Sequence, residues 1–157
     1  MSDMLVKLYE LPGIEAELRE QRENGVDIRR VIAPEKHIVV EWVRETFSAH
    51  WGSEVDVAIS NRPPSCFVAV EAEQPVGFAC YDATFRGAFG PTGVHESLRG
   101  RGIGRVLMLA CLHDMLAQGY GYAVIGSAGP VDYYARTVGA TVIPDSRPGM
   151  YRGMLRR

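Results

Sequence analysis

The residues most able to do chemistry form a glycine-rich run at 99–104, Arg-Gly-Arg-Gly-Ile-Gly. The run precedes a helical pattern that begins at Ile103. A glycine-rich loop that opens a helix directs several backbone N–H groups to one point, where the helix dipole is also positive. Such a point binds anions, and Arg99, Arg101 and Arg105 add positive charge around it. The loop therefore predicts a site for the pyrophosphate of a nucleotide-like cofactor.

Two other interpretations of this loop compete. A simple helix-entry turn would also use glycine, but three glycines at alternate positions beside arginines favour an anion site. A dinucleotide-binding fold requires the spacing Gly-x-Gly-x-x-Gly, and Arg105 stands where the last glycine would be. The spacing therefore argues against a dinucleotide fingerprint.

The elements that must position the loop alternate between strand and helix patterns. Strands are predicted at 4–9, 27–32, 66–71, 76–81, 88–94, 122–125, 141–143 and 150–154. Helices are predicted at 14–23, from Pro34 to Phe47, from Ile103 to the glycines around 120, and at 131–138. Residues 48–64 follow neither pattern. Pro91 and Gly93 are poor inside a regular ladder, so the strand at 88–94 is predicted to be bulged or splayed.

The composition predicts one compact domain. The chain has 157 residues, of which 46% are hydrophobic and 23% charged, enough to build a core. The cysteines, Cys66, Cys80 and Cys111, are odd in number and lie in apolar surroundings, so we expect free core thiols in a reducing compartment. No apolar run approaches the roughly 20 residues of a bilayer span, and no histidine pair has metal-ligand spacing. A cytoplasmic protein without membrane association or metal is expected.

The charge changes sign along the chain. Residues 1–75 hold 14 of the 19 acidic residues and 8 of the 17 basic ones, whereas the nine basic residues of 76–157 are all arginines. Arginine suits bidentate contacts with phosphate, and an acidic first half could attract a cationic amine. Ordinary surface charge would give the same distribution. Nucleic-acid binding is not indicated, because there is no dense basic stripe or aromatic platform.

At this point the chain resembles a known family. The run at 99–104 is similar to the Arg/Gln-x-x-Gly-x-Gly/Ala signature of the GCN5-related N-acetyltransferases (GNAT), and the order of strands and helices around it agrees. Tyr133-Tyr134-Ala135-Arg136, followed by Val138-Gly139-Ala140, is similar to a second segment of that family. The resemblance covers residues 27–157 and leaves 1–26 as an N-terminal extension with a short strand and a helix. It implies an α/β fold whose central mixed, mostly antiparallel sheet contains one splayed parallel strand pair and is flanked by helices.

The resemblance implies acetyl-CoA as co-substrate, without a metal. In such folds the backbone of the splayed strand binds the pantetheine amides, the glycine loop binds the pyrophosphate, and the thioester is expected at the wide end of the cleft. The implied cofactor-binding residues are Thr92, Val94, Arg99, Gly100, Arg101, Gly102, Ile103, Gly104, Arg105 and Ser127. The chain departs from the family at Glu96, where many members have proline, and at Ser127, where many have asparagine.

Acetyl transfer to an amine needs an acid and a base. A primary amine is mostly protonated at pH 7 and must lose a proton before it attacks. The motif places Tyr134 as the general acid that protonates the leaving thiolate, although the ring could also be a core aromatic beside Tyr133. His95 is a candidate base, because histidine titrates near neutral pH. The alternatives are an ordered water chain or one of five carboxylates: Glu54, Glu71, Glu73, Asp82 and Glu96.

The sequence thus predicts an N-acetyltransferase that acts on a primary amine of a small molecule or on an exposed amino group of a peptide. A non-catalytic acetyl-CoA sensor or scaffold with the same fold is the alternative. The acceptor half of the cleft is expected from residues 40–65, 82–87 and 145–152, none of which carries a recognisable substrate motif. A homodimer packed through the N-terminal segment is a further hypothesis.

Overall fold

A seven-stranded mixed sheet with five helices accounts for the described part of the chain, residues 1–156 of a computed structural model. The strands are β1 (Met4–Lys7), β2 (Asp27–Arg30), β3 (Cys66–Glu71), β4 (Gln74–Tyr81), β5 (Ala88–Val94), β6 (Tyr122–Ile125) and β7 (Thr141–Val142). The helices are α1 (Glu15–Glu23), α2 (Lys36–Thr46), α3 (Ala49–Ser60), α4 (Ile103–Ala117) and α5 (Val131–Val138). Arg157, the last residue of the predicted domain, lies outside the described residues.

The strand order across the sheet is β2-β3-β4-β5-β6-β1-β7. β5 and β6 run parallel, and the remaining neighbours in this order are antiparallel. The predicted α/β fold with one parallel pair is therefore confirmed. Within residues 1–156, none of the helices is both long and apolar enough to cross a membrane.

The final strand predicted at 150–154 is wrong. Residues Gly149–Tyr151 form a short 3-10 turn instead, and the chain continues without a strand to the end of the described residues. Pro148 precedes the turn, and Gly149 has a φ of +59°, a conformation that glycine adopts without strain. These two residues direct the chain away from the sheet.

The N-terminal strand β1 lies inside the sheet, between β6 and β7. Its register with β6 runs from Met4 opposite Ile125 to Lys7 opposite Tyr122, and Met4 also lies opposite Val142 of β7. The segment 1–26, predicted as an N-terminal extension, thus contributes a strand to the interior of the sheet.

Helix α3 occupies the region in which the sequence pattern was unclear. Ser48 caps it, since its hydroxyl oxygen accepts a hydrogen bond from the Trp51 backbone N–H at 3.1 Å. Gly52 obscures the helical pattern of this segment, because glycine is unfavourable inside a helix. Its role is close packing: a Cβ at Gly52 would lie 2.1 Å from Cγ of Arg44 on α2. The two helices can therefore pack side by side only with glycine here.

Two apolar cores lie on opposite faces of the sheet. Helices α1, α4 and α5 cover one core, and α2 and α3 cover the other. Eight of the fifteen residues of α4 are buried, which makes it the central helix of its face. The three cysteines are free and buried, as predicted. Burial raises the pKa of the Cys80 and Cys111 thiols well above the ordinary value, so both stay protonated.

A charged cluster fastens α4 to the sheet. Arg30 of β2 donates two hydrogen bonds to the Asp114 carboxylate of α4, at 2.6 and 2.8 Å, and a third to the Pro64 carbonyl at 2.7 Å. Tyr81 of β4 donates to the same carboxylate at 2.6 Å. The guanidinium also lies 5.0 Å from the centre of the Phe67 ring. Because the Asp114 side chain is only 12% exposed, solvent screens this pair weakly.

We expect Asp114→Ala to lower the free energy of unfolding by about 3 kcal/mol, measured by urea denaturation. The substitution leaves the half-buried Arg30 guanidinium and the Tyr81 hydroxyl without their acceptor. The control is Asp27→Ala, which removes an exposed 3.8 Å pair with Arg22 and should cost less than about 0.5 kcal/mol. Equal losses in the two variants would contradict the fastening role of the cluster.

Candidate active site

A cleft opens in the sheet where β5 and β6 separate. In the described chain the two strands pair at Ala88 with Val124 and at Phe89 with Ile125, after which β6 ends and β5 continues to Val94. The β4–β5 register shifts at the same point, and Gly90 has a φ of +117° there. A bulge at glycine bends a strand away from its neighbour. The predicted bulged and splayed strand is therefore present.

The backbone of β5 directs polar groups into this cleft. The His95 N–H donates to the Val76 carbonyl of β4 at 2.8 Å, so the N–H groups of odd-numbered residues here face β4. Successive backbone groups of a strand alternate in direction. The N–H and C=O of Thr92 and Val94 therefore face the cleft, in the orientation that binding of an extended amide-containing ligand requires. Arg99 reaches the same edge, because its Nε donates to the Val94 carbonyl at 3.2 Å.

The glycine loop has a backbone conformation that favours glycine. Gly100 and Gly102 have φ values of +84° and +79°, which glycine adopts without strain, and Gly102 caps the N-terminus of α4. Gly104 lies in the first turn, where a Cβ would be 3.5 Å from Val94 Cγ2. Ile103 is buried in the core, so it contributes its backbone to the loop and its side chain to packing.

Helix α1 supports the loop from the N-terminal part of the chain. The Gln21 side chain is buried, and its Nε2 donates to the Arg101 carbonyl at 2.6 Å. The Nε of Arg105 donates to both carboxylate oxygens of Glu17, at 2.9 and 3.1 Å. Sequence patterns missed both contacts, because Gln21 and Glu17 lie in a charged helix with no motif that connects it to the loop.

The predicted phosphate-binding arginines have different surroundings. Arg99 and Arg101 are exposed on the loop, and Arg101 lies 3.8 Å from Glu71 in a weak ion pair. Arg105 is about one-third exposed and paired with Glu17. The exposed positive charge at the loop thus belongs to Arg99 and Arg101, while Arg105 also ties α4 to α1.

The direction of the cleft bears on where a thioester could lie. β5 and β6 are paired at Ala88 and Phe89 and apart at Val94, so the wide end of the cleft adjoins the glycine loop. A cofactor with its pyrophosphate on the loop has its thioester toward the other end. With its pyrophosphate on the loop, such a cofactor would have its thioester near Gly90 and Gly126, so the two predicted positions do not fit this cleft together.

The far wall of the cleft is formed by the segment between β6 and α5. Ser127 has a φ of +48°, and its N–H donates to the Asp3 carboxylate at 2.7 Å. The next residue, Ala128, donates its N–H to the Ser2 carbonyl at 2.9 Å. The N-terminal residues therefore hold this wall in place.

Tyr134 projects from α5, half-buried against the core that contains α4. The centre of its ring lies 5.3 Å from that of Tyr133 at an interplanar angle of 64°. Burial raises the pKa of the Tyr134 phenol above its ordinary value, and the neighbouring Tyr133 raises it further. The phenol is therefore protonated at neutral pH, as a general acid must be.

The candidate bases are spread around the site. His95 is exposed at the loop end of β5, where its Nδ1 accepts from the Ser97 N–H at 3.2 Å and lies 2.7 Å from the Ser97 hydroxyl. Asp82 accepts hydrogen bonds from the Gly87 N–H and the Tyr120 hydroxyl, both at 2.7 Å.

The other carboxylates proposed as bases have different positions. Glu73 and Glu96 are exposed, and Glu71 faces Arg101. Glu54 of α3 is half-buried and accepts a hydrogen bond from the Thr84 hydroxyl. No three His, Cys, Asp or Glu side chains within residues 1–156 are grouped to hold a metal ion.

The family comparison agrees with this geometry. Residues 36–139, which include the splayed strand, the glycine loop, α4 and α5, match the model of the acetyltransferase (GNAT) family. The chain belongs to the GNAT acetyltransferase family. A comparison with curated proteins gives no match.

Solved structures of GNAT proteins share the fold. A GCN5-related N-acetyltransferase from Sphaerobacter thermophilus has a TM-score of 0.65 and 22% identity over 90% of this chain and 48% of its own. A GCN5-related glucosamine N-acetyltransferase region of a fungal multi-domain GH3 β-N-acetylglucosaminidase has a TM-score of 0.72 and 15% identity, over 90% and 19%. A GNAT family acetyltransferase from Brucella melitensis in complex with acetyl-CoA has a TM-score of 0.57 and 19% identity, over 75% of this chain and 86% of its own. The chain spans about half the length of the first and a fifth of the second.

We expect Gly104→Asp to weaken binding of coenzyme A more than about tenfold, about 1.4 kcal/mol, measured by calorimetry. The carboxylate would lie in the first turn of α4, where it suits the helix dipole but repels phosphate. The control is Gly104→Ala, whose methyl group makes an ordinary 3.5 Å contact and carries no charge. Wild-type affinity in Gly104→Asp would contradict the predicted anion site.

Proposed function

We propose that this protein transfers the acetyl group of acetyl-CoA to a primary amine of a small molecule or peptide, by direct attack in a ternary complex. The observation that carries the proposal is the polar edge of β5, which leads from the narrow end of the cleft to the glycine loop at the start of α4. Family membership supports it, as does the Brucella melitensis protein, whose structure contains acetyl-CoA.

The residues present fit the parts of this co-substrate. The backbone groups of Thr92 and Val94 match the pantetheine amides, since a peptide-like arm can add to a strand edge as a neighbouring strand would. The N–H groups of residues 100–105 and the charges of Arg99 and Arg101 suit the pyrophosphate. Arg99 would exchange its hydrogen bond to the Val94 carbonyl for a phosphate oxygen.

The reaction requires the amine to lose a proton, attack the thioester carbonyl carbon and expel the sulfur. The nitrogen–carbon bond forms as the carbon–sulfur bond breaks. The nitrogen gives up a second proton to water as the amide forms, and water returns a proton to Tyr134 after each turnover. Tyr134 supplies the proton that the departing thiolate takes. Its raised pKa keeps that proton available throughout the neutral range.

The first test is binding and turnover by the wild-type protein. We expect calorimetry to show binding of acetyl-CoA, and a panel of primary amines to produce free coenzyme A thiol together with the N-acetyl product. Binding without transfer to any amine would favour the alternative, a sensor or scaffold. Absence of binding would overturn both functions.

The second test concerns Tyr134. We expect Tyr134→Phe to lower kcat about 100-fold while the affinity for acetyl-CoA is unchanged, measured by thiol release. Because burial raises the pKa of Tyr134, its acid form persists and the ratio of the two kcat values should stay constant from pH 7 to 9. Tyr133→Phe, on the adjacent ring, is the control and should keep near wild-type kcat. Equal effects of the two substitutions would contradict the acid role.

A further inference from the structure

A polar cluster at the narrow end of the cleft contains Glu54, one of the carboxylates considered as a base. Its first member is Glu54 of α3, whose Oε1 accepts a hydrogen bond from the hydroxyl of Thr84. Thr84 lies in the turn between β4 and β5, so this bond joins α3 to the beginning of the splayed strand. Both side chains are half-buried.

The third member of the cluster is Tyr151 from the C-terminal segment. Residues 147–156 are exposed apart from Tyr151, which is half-buried. Its hydroxyl lies 3.2 Å from the position that a Cβ would take on Gly126, the residue directly after β6. Burial raises the pKa of Tyr151, the nearby Thr84 hydroxyl lowers it, and the Glu54 and Asp3 carboxylates raise it. Tyr151 therefore anchors the C-terminal segment across the end of β6.

The position of this cluster relates it to the reacting atoms. Gly126 follows Ile125, which pairs with Phe89 at the point where β5 and β6 begin to separate. That point is the narrow end of the cleft, where the thioester of a bound acetyl-CoA belongs. The other end of β5, at Val94, lies about 16 Å away along the strand, at about 3.3 Å per residue over five residues, and the glycine loop follows beyond it. The cluster is therefore near the thioester end, and His95 is near the phosphate end.

We propose that Glu54, Thr84 and Tyr151 form the acceptor site, in which Glu54 binds the ammonium group of the acceptor and takes the proton that the amine must lose. The inference deepens the proposed acetyl transfer and rests on it. Thr84 engages Oε1, which orients the carboxylate, and Oε2 is the atom that receives the proton. The nitrogen lone pair freed in this way attacks the thioester carbon. Tyr151 covers the amine and limits access of water.

The neighbours of Glu54 indicate the class of acceptor. Trp51 lies one turn earlier on the same face of α3, and its ring packs 5.3 Å from that of Phe47. Phe47 in turn packs against Gly93 of β5, where a Cβ would lie 2.7 Å from the ring. Apolar rings therefore extend from beside the carboxylate to β5, which forms one edge of the cleft. This arrangement suits a cationic amine with an apolar arm and disfavours an amine that carries its own carboxylate.

Two titratable groups around Glu54 are held neutral by burial, and a third is a carboxylate bound to a backbone N–H. Tyr151 has a raised pKa, and so does Cys80 on β4, chiefly through burial. Both are therefore neutral at pH 7 and keep their protons. Asp3, near Tyr151, already accepts the hydrogen bond from the Ser127 N–H.

The test compares Glu54→Gln with wild type, using hexylamine as acceptor and thiol release as readout. Glutamine keeps the shape and can still accept from Thr84, but it cannot take a proton. We expect kcat/KM to fall about 100-fold at pH 7 and its pH profile to change, because glutamine cannot exchange a proton. Calorimetric affinity for acetyl-CoA should be unchanged. Glu45→Gln, an exposed glutamate on α2, is the matched control and should match wild type.

Two further measurements identify the acceptor site independently. Tyr151→Phe should raise KM for hexylamine several-fold and leave kcat nearly unchanged, because it removes the hydroxyl that positions the covering ring and leaves Glu54 in place. For wild type, kcat/KM with glycine, which carries a carboxylate, should be at least about tenfold lower than with hexylamine. In Glu54→Gln the difference in kcat/KM between the two amines should be smaller.

The outcomes separate this inference from the proposed function. Turnover by Glu54→Gln within threefold of wild type, with an unchanged pH profile, would overturn the acceptor site and leave the acetyl transfer standing. Equal losses in Glu54→Gln and Glu45→Gln would also overturn it. Binding of acetyl-CoA by wild type without turnover of any amine would overturn the proposed function, and the acceptor site with it.

Discussion

The separation of β5 from β6 is the constraint on which the rest of the site depends. Backbone groups inside a sheet are normally paired on both edges, and leaving them free is costly away from water. Here the gap is held open from both sides. β5 is paired to β4 along one edge and bent at Gly90, whereas β6 is paired to β1 and its following loop is tied to Asp3. The gap is therefore a rigid slot between two well-paired halves of one sheet.

The parts of this arrangement that depend on short stretches of chain could be predicted from the sequence. The glycine loop, the bulged strand and the tyrosine helix each rest on residue types within a few positions of one another, and the structure has these elements where the patterns indicate them. Helix α3 was not predicted, because Gly52 interrupts its pattern for the sake of packing on Arg44. The C-terminal strand was predicted wrongly, because the residue types at 150–154 do not reveal that Pro148 and Gly149 direct the chain into a 3-10 turn.

The contacts that shape the site join distant parts of the chain, and no local pattern encodes them. Gln21 supports the loop from 80 residues away, and Glu17 pairs with Arg105 across 88. These contacts make the loop part of the α1–α4 packing. The carboxylate of Glu17 also offsets one of the positive charges near the phosphate site, so the loop relies on its N–H groups as much as on its arginines.

The insertion of β1 between β6 and β7 has a consequence for how the chain folds. Met4 must find Ile125 and Val142, partners that are more than a hundred positions further along the chain. Contacts of such long range slow folding, since the entropy of closing a large loop is lost before the contact forms. During synthesis the first strand therefore has no partner until nearly the whole domain has left the ribosome. The far wall of the cleft is among the last parts of the molecule to become ordered.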